Sequence, residues 1–251
     1  MKNISTASFV TIIPLHNESK IIVKLCHSIE NFLNENPEFK FILALDNCTD
    51  DTEMQLNKIV KNENILMIKS DLQAGYGNVI RFAYNKTYEL GYQWGIVIDS
   101  DLSNPLREVK KIGEIISSNT DTKVVIIKGN RFHRIRADFV DVPLKRVIFS
   151  QTANIFAKIF AGKYSQDLTN GFRAVNISWV NKYRFNESGF SSIVEEACVA
   201  IANGYRILDF NTTLRYDEAI RTESSFSFKP KLLLNYSKYI FKIWLMIIKH
   251  K

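Results

Sequence analysis

Short apolar runs rich in β-branched residues recur at residues 9–13, 41–45, 65–68, 96–98 and 124–127. Each has the length of a strand buried on both faces. Between the runs, apolar residues return at spacings of three and four. One set is Ile21, Ile22, Leu25, Cys26, Ile29, Phe32 and Leu33; the next is Val79, Ile80, Ala83, Tyr84 and Thr87; a third is Leu106, Val109, Ile112, Ile115 and Ile116. This is the one-sided stripe of an amphipathic helix. Strands alternating with helices predict βαβ crossovers, hence an α/β fold whose mostly parallel sheet is covered by helices on both faces. Beyond residue 129 the alternation stops, giving a helix-like stretch at 144–160, a polar loop at 167–173, a helix at 192–203 and a strand at 206–210. No repeat or linker separates the halves, so residues 1–228 read as one domain.

Composition narrows the class. The 251 residues are 46% hydrophobic and 24% charged, which excludes a disordered chain or a small stapled domain. Cys26, Cys48 and Cys198 are odd in number and far apart, without CxxC spacing, and read as reduced thiols. The N-terminus has no apolar signal-peptide stretch before Phe9, so a cytoplasmic protein is expected. Net charge is +7, yet residues 224–251 hold six lysines and no acid, which leaves +1 for the rest. A basic end on a nearly neutral domain points to a local anionic partner and away from nucleic acid.

In parallel sheets ligands collect beyond the carboxyl ends of the strands. Asp99-Ser100-Asp101 follows one such strand, and residues i and i+2 of an extended segment point to the same side. Two carboxylates so placed suit a hard divalent ion, Mg²⁺ or Mn²⁺, with positions open for a diphosphate; the alternative is a solvated loop. After the second strand comes DNCTDDT, 46–52, where Asp46 can accept a base N–H while Thr49 or Asp50 caps a helix starting at Thr52. Gly75 and Gly77 open another helix, where a backbone without side chains can approach a phosphate, or simply turn.

Taken in order, IIPLHNE (12–18), DNCTDDT (46–52), AGYGNVIRFAY (74–84), IDSDLSNP (98–105), KGNRF (128–132) and DLTNGFRAVN (167–176) resemble the family 2 glycosyltransferases of the GT-A fold. The second half is most similar to the polyprenol-phosphate sugar transferases, which make dolichol-phosphate mannose and bactoprenol glucose. The resemblance implies a nucleotide-binding half of about 1–130, with Pro14, His16, Glu18, Asp46, Gly75, Gly77 and Asp99 on the nucleotide sugar, a UDP or GDP sugar. It implies Asp99 and Asp101 on the metal, and an acceptor half of about 131–228 with Arg131, Arg146, Arg173 and Arg221 on the acceptor. The chain departs from the family pattern at Leu45, where a second acid is usual, at Ser103, where Gln or Asp often follows, and at His16, where Tyr is common.

The implied reaction is inverting transfer to a polyprenyl phosphate, with Asp101, Asp167 and Arg131 as the catalytic set. A phosphate acceptor needs arginines to hold it and no base. Transfer to a saccharide hydroxyl in capsule, cell-wall or lipopolysaccharide synthesis needs one, and Asp167 is the candidate, with Glu195 or Glu196 behind it. A non-catalytic membrane-surface binding module is the reading from another class. Residues 229–251 carry a continuous apolar stripe interrupted by Lys238 and Lys242, which predicts a basic amphipathic helix lying on the inner face of the cell membrane, or docked on the protein's own core.

Overall fold

The computed structural model describes residues 8–131, 139–140, 167–212, 214–215, 238 and 241. Strands β1 (Phe9–Leu15), β2 (Phe41–Leu45), β3 (Ile65–Lys69), β4 (Trp94–Val97), β5 (Val124–Asn130), β7 (Arg173–Asn176) and β8 (Arg206–Asn211) form a seven-stranded sheet in the order β3-β2-β1-β4-β7-β5-β8. β6 (Phe139–Val140) and β9 (Leu214–Arg215) pair separately. All strands of the main sheet run parallel except β7, which lies antiparallel between β4 and β5.

Strand side chains alternate between two cores. Ile13, Leu15, Leu43, Leu45 and Ile96 face one, under α1 (Ile22–Glu35), α2 (Thr52–Ile59) and α4 (Leu106–Ser118). Val10, Ile12, Ile42, Ala44 and Val97 face the other, under α3 (Tyr76–Glu89) and the short α5 (Ile177–Val180), with α6 (Ser192–Ala202) completing that side. Every residue of β2, β4 and β5 is buried, as continuous apolar runs in a doubly covered sheet require. The expected α/β sheet with helices on both faces is therefore what forms.

β7 begins at Arg173, the last residue of the expected polar loop, and was not expected; its direction matters for the site. A strand running backwards begins where its neighbours end. The turn at 167–172 thus arrives at the sheet edge already lined by the segments after β1, β2, β4 and β5. The expected helix at 144–160 lies outside the described residues, as does the 229–251 segment except Lys238 and Phe241, both helical. Among the described residues, no helix is long and apolar enough to cross a membrane.

Candidate active site

The segments after β1 and β2 are tied to each other. Asn17, in the left-handed region at φ 56°, accepts the Thr49 amide at 2.7 Å, and the Glu18 amide donates to Thr52 Oγ1 at 2.7 Å. Asp50 accepts the amides of Thr52 at 3.0 Å and Ser19 at 3.1 Å, so it is Asp50 that serves the first turn of α2. Burial pushes this carboxyl up, but the hydrogen bonds from Thr52 and Ser19 prevail and hold it at about 2. His16 donates from Nδ1 to the Asp46 carbonyl at 2.6 Å, and Pro14 sits in β1 opposite Ala44.

Asp46 is nearly buried, and both its carboxylate oxygens accept the Gly75 amide, at 3.1 and 2.9 Å. The approach allowed by the two glycines is used by the chain itself. A Cβ on Gly75 would lie 2.5 Å from the Ser188 carbonyl oxygen, and one on Gly77 2.2 Å from that of Glu187. The Gly77 amide donates to Ser188 at 2.7 Å. In this structure the helix start expected to face a phosphate receives the loop at 187–188. Glu195 supports the same loop by accepting the amides of Asn186 and Glu187 at 2.9 and 3.0 Å.

Asp99 and Asp101 follow β4, but not as an extended pair. The strand ends at Val97, and the Leu102 amide donates to the Asp99 carbonyl at 3.2 Å, closing a turn in which Leu102 has φ 48°. The strand-alternation argument for their shared facing therefore fails. Ser100 donates to Glu18 at 2.8 Å, and Asp101 accepts the Ser103 amide at 2.9 Å. Burial raises Glu18 above the ordinary carboxylate range, with Asp101 and Asp50 adding to the effect. On the other side Gly171 approaches Asp99 so closely that a Cβ there would sit 3.3 and 3.5 Å from its two carboxylate oxygens. Among the described residues no group of three His, Cys, Asp or Glu is placed to hold a metal. Asp99 and Asp101 are hard oxygen donors after one strand end, a pair whose chemistry fits Mg²⁺ or Mn²⁺ when a diphosphate and water supply the remaining ligands.

The turn at 167–172 carries charge into the interior. Asp167 is wholly buried and paired with Arg131 through Nε at 2.6 Å and Nη2 at 2.9 Å. Burial would raise this carboxyl, but Arg131 and then Lys128 hold it below the ordinary range. Arg173, expected at the acceptor, is itself wholly buried. It binds Glu196 at 2.6 and 2.8 Å, the Gly171 carbonyl at 2.9 Å and the Tyr76 hydroxyl at 3.2 Å. In that placement it braces β7 against α3 and α6. Glu195 and Glu196 are braces likewise. Arg146 and Arg221 lie outside the described residues.

Sequence reasoning passed over Tyr76, whose ring stacks on Phe190 at 4.6 Å, and Lys128. Lys128 had a signal, being a charge at a covered position directly after an apolar run. Cys26 and Cys198 are buried thiols and Cys48 is a partly buried one, none in a disulfide.

A family model described as Glycosyl transferase family 2 matches residues 10–184, and the chain belongs to that family. Polyprenol monophosphomannose synthase of Mycolicibacterium smegmatis is 20% identical over 214 residues, 83% of this chain and 77% of that protein. Glucosyl-3-phosphoglycerate synthase of Mycobacterium tuberculosis, solved with Mn²⁺, UDP and glucosyl-3-phosphoglycerate, superposes with a TM-score of 0.63 at 15% identity, covering 95% of this chain and 79% of that one. The same enzyme with Mg²⁺ and UDP gives a TM-score of 0.61 at 14% identity, over 95% and 78%. The fold is the GT-A fold, and the protein is a glycosyltransferase.

Proposed function

We propose that this glycosyltransferase moves a sugar from a UDP or GDP sugar to a polyprenyl phosphate, with inversion, at the cytoplasmic membrane surface. The observation that carries the acceptor class is Asp167. It is the carboxylate a hydroxyl acceptor would need as base, yet it is wholly buried, kept ionised and held through both oxygens by Arg131. A monophosphate, with its second ionisation near about 6, is already a nucleophile at neutral pH and needs no base. Its oxygen attacks the anomeric carbon while the bond from that carbon to the nucleoside diphosphate breaks. The likeness to a polyprenol monophosphomannose synthase supports the same acceptor.

In this reading Asp46, Glu18, His16 and Pro14 shape the donor side, and Arg131 with Arg146 and Arg221 forms the acceptor side. A bound Mg²⁺ or Mn²⁺, held by Asp99 and Asp101, would supply Lewis-acid neutralisation of the leaving diphosphate. Neighbours solved with Mn²⁺ or Mg²⁺ and UDP support that choice. The Glu18–Ser100 hydrogen bond helps keep the acidic turn in place. Residues 229–251 supply the membrane-surface helix.

The test is turnover of UDP and GDP sugars with and without a polyprenyl phosphate. Release of nucleoside diphosphate should require the lipid phosphate and yield an inverted sugar phospholipid. Transfer only to a saccharide hydroxyl overturns the acceptor class, and absence of turnover with every donor favours a binding module. Asp101→Asn should lose at least about 10²-fold in turnover with the fold intact, the scale of removing one strong electrostatic stabiliser. Full activity in chelator would overturn the metal assignment.

A further inference from the structure

A cavity on the flank of the domain takes no part in the reading above. It measures about 420 Å³, and its walls include Arg81 and Asn85 from α3 and Asn181, Tyr183, Arg184 and Phe185 from the segment after α5. That volume falls among those of small-molecule sites, about 300–1,000 Å³. The cavity is separate from the strand-end site, because none of its walls comes from the acidic turn at 99–101 or the turn at 167–172. α5 also starts at the other end of the sheet: Asn176 pairs with Trp94, the first residue of β4, whereas Asp99 follows the last.

The walls hold two guanidiniums and no carboxylate. Arg81 donates Nη1 to the Glu187 carbonyl at 2.7 Å and Nη2 to Asn78 Oδ1, both neutral acceptors. A guanidinium carries five N–H donors, so part of this one remains for a ligand. Among the described residues Arg184 makes neither an ion pair nor a side-chain hydrogen bond. The carboxylates nearest in sequence have other partners: Glu89 pairs with Lys86 at 3.0 Å, Glu187 accepts from the Ser191 hydroxyl at 2.6 Å, and Glu195 accepts the amides of Asn186 and Glu187.

These walls offer three kinds of contact at once. Guanidiniums are planar forks for phosphate oxygens. The Asn85 and Asn181 carboxamides can both donate to and accept from hydroxyls. The Tyr183 and Phe185 rings give apolar faces on which the C–H face of a sugar ring can rest. A compact polyol carrying one phosphate uses all three. We propose that this cavity is a second ligand site, for a sugar phosphate, distinct from the centre at which sugar is transferred.

Calorimetry of the full chain with glucose 1-phosphate tests it, in the presence of UDP and Mn²⁺ to fill the donor side. The wild type should show saturable binding. Arg184→Ala alters an exposed residue outside the transfer machinery, so Tm should stay within about 2 °C while affinity falls about tenfold or more, as expected for losing a charged hydrogen-bond partner. Inorganic phosphate, which lacks the ring and hydroxyls, should bind the wild type about tenfold more weakly or worse. Absence of binding by the wild type overturns the site. Equal affinity in Arg184→Ala places the ligand elsewhere and overturns it too. Inorganic phosphate that binds as well as glucose 1-phosphate overturns the sugar-phosphate class.

Discussion

Single positions around the site differ sharply in what they tolerate. Gly77→Ala places a methyl 2.2 Å from the Glu187 carbonyl oxygen and 2.9 Å from Ser192 Cβ, so backbone must move. A loss of about 2–3 kcal/mol in urea unfolding is expected, the upper range of overpacking. Gly189→Ala, directly after the same loop and with nothing within 4 Å, should stay within about 0.5 kcal/mol. Equal effects would show that the loop is not docked as described. Gly171→Ala is a subtler case, because its methyl meets the Asp99 carboxylate at 3.3 and 3.5 Å, with the Tyr76 hydroxyl at 3.7 Å in ordinary contact. Pushing that carboxylate by a few tenths of an ångström should lower kcat about tenfold or more while Tm stays within about 2 °C. An unaltered kcat would mean that the position of Asp99 is not critical.

At the scale of elements, the start of α2 depends on one side chain. Asp50 receives the amides of Thr52 and Ser19 only as a carboxylate, which is why its folded value lies near about 2 against the ordinary 3.8. A depressed folded value means stability that is complete above the unfolded value and is lost as pH falls through the folded one. Asp50→Ala should therefore cost about 1 kcal/mol at pH 6, and urea midpoints of the two proteins should converge between about pH 4 and 2. A gap that persists at pH 2 would place the effect elsewhere. The helices under the sheet and most of its strands were legible because an apolar stripe or a doubly buried run is a local property of the sequence. β7 was not, because its four residues begin with an arginine whose burial depends on Glu196, 23 residues away. Asp46 was legible as a site residue but its hold on Gly75, 29 residues on, was not. The acidic turn was found from its place after an apolar run, and the shape assumed for it was wrong because the strand stops at Val97, four residues short of Asp101.

For the molecule as a whole, charge separates from fold: the domain is nearly neutral and the lysines lie at one end. Each lysine near anionic lipid contributes about 1 kcal/mol. Removing residues after 228 should abolish sedimentation with liposomes containing anionic lipid at low salt, while turnover on a short water-soluble acceptor persists. Intact protein that ignores such liposomes would assign the segment to the core or to a partner. The loop at 187–188 carries a different consequence. It comes from the second half of the chain, yet it is clasped by Gly75 and Gly77 of the first half and fastened again by Arg81 to the Glu187 carbonyl at 2.7 Å. The two halves are therefore not interchangeable modules. A chimera that borrows another transferase's second half to redirect acceptor choice inherits a loop cut for a different helix, and must bring the matching glycine pair with it.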